Sequence, residues 1–287
     1  MRWEDTAISS CTTDAIFRET GQKFAAAFAA IGLVKVPFTG QINWATVAKP
    51  ATANTVQGYE LWRFDDALQA TAPVFIRVGY GGGYAASYFS LNLQIGTGHD
   101  GAGNLTGTVS AAGWTSPYTA QGAPYPFWVA GDAGRLLVSM FNTVSPYAVS
   151  LAVVERTAGP SGAPSAAGVT LLVAGNGNNS VTCSSTIRPG GVDTQTAVPY
   201  ACTTMPAGTS GMVDNEVSVY PVRVWMARRE TPPLHSLVCY FGADIAARTP
   251  FQARGWDGAL RSYYPLGALL AGVGGSPNTG YVALRWD

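Results

Sequence analysis

The chain has 287 residues, enough to bury about three quarters of its unfolded surface in a large core without staples. Charged residues make up only 12%, with 17 basic groups against 17 acidic ones, about half the usual share for a soluble domain. The balance argues against a nucleic-acid partner, which needs a basic stripe, and low charge near neutrality favours association with neighbouring subunits.

The first residues, Met1 to Asp5, carry acids where a secretory signal would carry Lys or Arg, and no apolar h-region follows. Thr12, Thr13 and Asp14 read as a helix start, a capping hydroxyl followed by an acid in the first turn. From Asp14 to Ile31, Phe17, Phe24, Phe28 and Ile31 share a narrow arc at helical spacing, with Arg18, Glu19 and Gln22 on the other side. Gly21 lies on the apolar side, where it marks the close approach of another backbone, and Gly32 stands where a left-handed cap is expected. The helix either packs on a β core or docks on another subunit, which makes Phe17, Phe24 and Phe28 interface candidates.

After Pro37 the helical period disappears. Gln41 to Val47 and Tyr59 to Phe64 read as strands, and Pro73 opens the next one. Within the second run Trp62 and Phe64 share a face and belong to the core, while Leu61 and Arg63 face a second layer or a neighbouring subunit. Leu91, Leu93 and Ile95 alternate with Asn92 and Gln94 in the half-buried strand Tyr88 to Ile95, ahead of a glycine-rich loop from Gly96 to Gly107. Val109 to Trp114, Pro126 to Ala130, Arg135 to Asn142 and Ala148 to Thr157 continue the strands. The segment Thr157 to Gly168 is a hairpin tip or a linker, and the strand-like runs on both sides favour the hairpin. Further strands are expected at Val181 to Ile187, Tyr200 to Met205, Val217 to Arg228, Ser236 to Phe241 and Tyr281 to Trp286. No fixed-period repeat is present. The expected fold is mainly β, an antiparallel sandwich or jelly-roll-like body (37–287) behind an N-terminal segment with a docking helix (1–36), with a subdivision near 157–168 as the variant.

Few residues carry a chemical signature. No lysine follows a glycine, so there is no P-loop, and Gly79 to Gly83 lead into a tyrosine-rich stretch rather than a helix. The elbow G-x-S-x-G is absent. His99 reads as a solvated loop residue, and a Cys239/His235 pair has a spacing unsuited to a strand. Cys11, Cys183, Cys202 and Cys239 are too scattered for zinc and read as free thiols of a protein made in a reducing cytoplasm, a Cys183–Cys202 bridge remaining open. Asp100 and Asn104 fit a β-turn better than a calcium loop. Asp65 and Asp66 are adjacent and read as a turn rather than as a glycosidase pair. No catalytic, cofactor-binding or metal-ligating residue is assigned. The most apolar windows fall short of the ~18 residues of a membrane span. Trp256, Tyr263 and Tyr264, set among glycine and arginine, are the best candidates for an exposed aromatic platform.

The ordered blocks GQINWATV (40–47), GYELWRFDDALQATAPVFIRVGYG (58–81) and LNLQIGTGHDGAGNLTG (91–107) resemble a family of virion-associated proteins of tailed bacteriophages and prophages. Phe17 with Arg18 ahead of the first block, and SLAVVERTAG (150–159), resemble it too. The likeness covers roughly Phe17 to Val173 and implies a multi-copy structural protein of the virion tail (adaptor, tip or fibre region) without a catalytic site. It implies that the partners are copies of itself and other virion proteins, and that the protein is made in the bacterial cytoplasm. A host-recognition module that binds surface glycan, or a head decoration protein, is the alternative. An enzyme, such as a glycan depolymerase, is the least favoured reading. The interface candidates are Phe17, Phe24, Phe28, Leu61, Arg63, Trp256, Tyr263 and Tyr264.

Overall fold

The computed structural model describes residues 2–8, 11–83, 85–108, 113–115, 125–141, 149–158, 163–174, 181–187, 191–195, 212–213, 216–217, 219–221, 225–226, 229–230, 234, 236–240, 250–254, 258–267 and 281–285. The one helix among them, α1, spans Asp14–Ala30. Thr13 caps it in an extended conformation, its hydroxyl accepting from the Ile16 N–H at 3.2 Å. Gly32, with φ +103°, turns the chain out of the helix as expected.

The strands pair antiparallel throughout the described residues. They are β1 (Arg2–Ile8), β2 (Val34–Val36), β3 (Thr55–Arg63), β4 (Phe75–Gly82), β5 (Phe89–His99), β6 (Leu105–Thr108), β7 (Gly113–Thr115), β8 (Tyr125–Asp132), β9 (Arg135–Phe141), β10 (Val149–Ala158), β11 (Pro164–Ala174), β12 (Val181–Ile187) and β13 (Gly191–Gln195). The first sheet is the meander β2-β3-β4-β5-β6, with β7 also on β5. The second has the order β1-β8-β9-β10-β11-β12-β13. A third, five-stranded sheet is built from the C-terminal strands Val219–Pro221, Leu237–Tyr240, Tyr281–Arg285, Leu260–Gly267 and Phe251–Arg254, in that spatial order.

One core joins α1 to the first two sheets. Trp62, Ile76, Val78, Tyr80, Leu91 and Leu93 of the first sheet share it with Phe127, Val129, Val138, Ala152, Val154 and Leu171 of the second. The alternate residues of the second sheet, Trp128, Leu137, Leu151, Val153 and Leu172, are buried as well. Their opposite side follows from the period of two. The Tyr264 ring stands edge-on to Trp128 at 4.0 Å, which places the C-terminal sheet against this second face. Strands buried on both faces read as continuous apolar runs, as Leu151 to Val154 does.

The sandwich with one N-terminal helix matches the sequence reading, but several details differ. Residues 41–47 form an irregular segment with a turn at 44–46, not a strand. The Ile42 N–H donates to the Tyr59 carbonyl of β3 at 3.0 Å, and Trp44 turns inward. The strand expected to end at Ile95 runs on to His99, because Gly96 and Gly98 let β6 close in. A Cβ on Gly96 would lie 2.9 Å from the Thr106 carbonyl oxygen. The N-terminal segment contributes not only α1 but β1, an edge strand on β8. The segment Thr157 to Gly168 joins β10 and β11, which pair directly from Leu151↔Ala174 to Ala158↔Pro164. Tyr200 to Met205 lies outside the described residues.

Gly21 is needed for a ring rather than for a backbone, since a Cβ there would overlap the six-membered ring of Trp44. Helix propensity alone says that Gly21→Ala stabilises by about 1 kcal/mol. The overlap costs about 1–3 kcal/mol, and Trp44 cannot swing aside without losing its hydrogen bond. Net destabilisation is therefore expected in urea unfolding, and a gain in stability would disprove the contact.

Candidate interaction surface

β3 points Glu60, Trp62 and then Phe64 inward. Glu60 has no exposed surface and accepts four side-chain hydrogen bonds. Lys35 Nζ (2.5 Å) and Trp44 Nε1 (3.0 Å) reach Oε1, and Trp62 Nε1 (3.2 Å) and the Tyr80 hydroxyl (2.6 Å) reach Oε2. Burial, and then the Glu60 charge, holds the Tyr80 phenol well above its ordinary value, so it stays a donor. Arg18 completes the arrangement from α1, donating from Nε to the Val47 carbonyl at 2.7 Å and from Nη2 to that of Thr46 at 3.2 Å. Phe17 meets Trp44 at 5.9 Å between centroids. Phe17, Arg18, the 40–47 block and the start of the 58–81 block are thus one packed unit.

A second junction sits on β10. Arg156 faces the first sheet and donates to both carboxylate oxygens of Asp66, at 2.6 and 2.8 Å, and to the Ala72 carbonyl at 2.8 Å. Its neighbour Glu155 faces the other way, accepting from the Ser236 N–H and hydroxyl at 3.1 and 2.6 Å. Two consecutive side chains, both nearly inaccessible, tie the middle sheet to the layers on either side. Asp66 belongs to a turn, as expected, and its use is this ion pair.

The outward face of the first sheet is of a different kind. Tyr59, Gly79, Asn92 and Trp114 lie in register across β3, β4, β5 and β7, and Leu61, Arg77 and Gln94 form the next row. Tyr59, Arg77 and Trp114 are half-buried and Asn92 is buried. The Tyr59 ring leans over Gly79, where a Cβ would lie 2.9 Å from its Cε1. The Arg77 guanidinium stacks on that ring at 3.5 Å, an arrangement that Arg favours.

These positions correct most of the expected interface. Phe17, Phe24 and Phe28 have no exposed surface. Phe24 stacks on Phe127 at 3.9 Å, so the apolar face of α1 is covered within the chain. Leu61 does point away from Trp62 as read, but it too is fully buried. Arg63 is about one-third exposed and paired with Asp65 at 2.8 Å. Tyr263 and Tyr264 are 2% and 7% exposed, which rules them out as an open platform. Aromatics flanked by Gly and Arg look exposed in a sequence, but the strand Leu260–Gly267 is covered on both faces, Tyr263 lying beside Phe251 and Tyr264 against Trp128. Trp256 lies outside the described residues, as do His235, Cys202 and the side chain of Cys183.

His99 is half-buried at the end of β5, its ring edge-on to Phe75 at 4.9 Å, rather than solvated in a turn. Asp100 closes the β5–β6 loop on itself, accepting from the Asn104 side chain and from the Ala102 and Asn104 N–H groups. These bonds, the Asn104 side chain first, hold its carboxyl below the ordinary value. No group of three His, Cys, Asp or Glu that could hold a metal is found among the described residues. No helix among them is long and apolar enough to cross a membrane.

Burial pushes the Cys11 thiol from 9.0 up to about 12, against the opposing charge of Lys49. Its contribution to stability is full below pH 9 and lost as the pH rises toward 12. At pH 8, peptide-mapped iodoacetamide labelling should therefore leave Cys11 unmodified in the folded protein and modify it in urea. Labelling of Cys11 in both states would show that the site is open.

Fold and surface together define an antiparallel β-sandwich protein with a helix built into its core. A scan against protein-family models and a search of curated proteins both find no match.

Proposed function

We propose that this chain is a structural component of a tailed-bacteriophage virion, a multi-copy protomer of the tail. The observation that carries the reading is the ordered set of blocks resembling that family, from Phe17 and Arg18 through residues 40–47 and 58–81. Those blocks meet around Glu60, where they build the helix-to-sheet junction. The low charge supports assembly as well.

The contacts between copies follow from what the core leaves over. The apolar face of α1 is closed, and Leu260 is the one large apolar side chain exposed among the described residues. Among the described residues this leaves uncharged polar surface and backbone, rather than the apolar face of α1, for contacts between copies. Quantitative mass spectrometry of purified particles tests the reading. The expected result is this chain in several copies per particle, with tail-like numbers. Its absence from particles, together with recovery as a free monomer, would reject it.

A further inference from the structure

We propose that the outward face of the first sheet, at Arg77, Tyr59, Asn92 and Trp114, is a binding site for the carboxylate-bearing sugar of an acidic saccharide. The proposal does not depend on the virion reading. Its first support is the state of Arg77. The guanidinium has no hydrogen-bond or ion-pair partner among the described residues, and its Nε is enclosed without an acceptor. The guanidinium rests on the Tyr59 ring. Its two terminal nitrogens have no acceptor among the described residues either, whereas nearby Arg63 has its own carboxylate at 2.8 Å. A cation fixed by stacking and left uncompensated is complementary to an anion, and with Nε enclosed the anion meets the two terminal nitrogens end-on, as a carboxylate does.

The second support selects a sugar over an acidic side chain. Asn92 lies opposite Gly79, diagonal to Arg77 and so at roughly 7–8 Å by strand geometry. Trp114 is the next residue in the same row. The Asn92 amide, the Tyr59 hydroxyl and the Trp114 indole N–H have no side-chain hydrogen-bond partner among the described residues. They offer donors and acceptors for hydroxyls beside two aromatic rings that suit the C–H face of a pyranose. A peptide carboxylate would use the arginine and leave these groups unused.

The test is calorimetric or NMR titration of the full chain with D-glucuronate, with glucose and acetate as probes of each half of the site. Glucuronate is expected to bind at least about tenfold more tightly than either, because each control lacks one set of contacts. Arg77→Ala is expected to lower glucuronate affinity about tenfold with an unchanged melting temperature, and Arg77→Lys to restore only part of it. Absence of glucuronate binding, or affinity unchanged in Arg77→Ala, overturns the proposal. Acetate binding as tightly as glucuronate overturns it too, since any acidic peptide would then fit. If Arg77→Ala does not fold, Asn92→Ala decides: it should weaken glucuronate binding but leave acetate unaffected, and an unchanged glucuronate affinity counts against the site.

Discussion

Glu60→Ala is expected to destabilise the protein by roughly 3–5 kcal/mol, the largest single effect in the first sheet. The carboxylate is wholly enclosed and is the shared acceptor for Lys35, Trp44, Trp62 and Tyr80. Its removal leaves the Tyr80 hydroxyl and the Trp62 indole N–H buried without that acceptor, each at about 1–3 kcal/mol, and the half-buried Trp44 indole N–H loses it as well. Lys35 softens the loss, because it is about one-third exposed and can turn to water. Glu60→Gln keeps the shape and one acceptor oxygen but sets an amide N–H₂ against donors, so it should fall between wild type and alanine. Urea midpoints with unchanged slopes would measure both. A loss below about 1 kcal/mol for alanine would show that the network contributes little to stability.

Arg156→Ala should cost a similar amount, about 3–5 kcal/mol, for a different reason. Arg156 is only 2% exposed and forms a bidentate pair with Asp66, whose side chain is 19% exposed. Removing the cation leaves Asp66 partly enclosed beside the β8–β9 turn and the Ala72 carbonyl without its donor. Asp66→Ala should cost less, since the arginine it strands retains the Ala72 carbonyl and lies 5.5 Å from the Phe64 ring. The double mutant is the deciding measurement. Partners in one ion pair should show a coupling of about 1–3 kcal/mol, whereas additive losses would mean that the two side chains act separately. The segment 65–73 is held by this pair, so Arg156→Ala should also speed its proteolytic cleavage under native conditions.

Both sites were half visible in the sequence. Glu60 and Trp62 are two apart, so a strand that buries one buries the other. That parity is the signal for an enclosed carboxylate in an otherwise apolar run. Arg156 similarly follows Ala152 and Val154 at even spacing. What the spacing cannot supply is the partner. Lys35 and Glu60 are 25 residues apart, and Arg156 and Asp66 are 90 apart. The fate of α1 was open for the same reason: its apolar face needed a cover, and periodicity does not say whether that cover comes from the same chain or another.

The sequence by itself determined the elements that local chemistry controls. The Thr13 cap, the Phe17-Phe24-Phe28 face, the turn at Gly32, the β10–β11 hairpin and the antiparallel β class all follow from side-chain period and turn residues. Only the tertiary structure decided which faces are enclosed. It closed α1 into the core, covered both faces of the middle sheet, folded residues 41–47 as a plug rather than a strand, and left Arg77 outside without a counter-charge. The physical reason is that burial and pairing depend on which distant segment arrives. Two residues with the same local pattern, such as Leu61 and Arg77 side by side on one sheet face, can end up one sealed and the other unmatched.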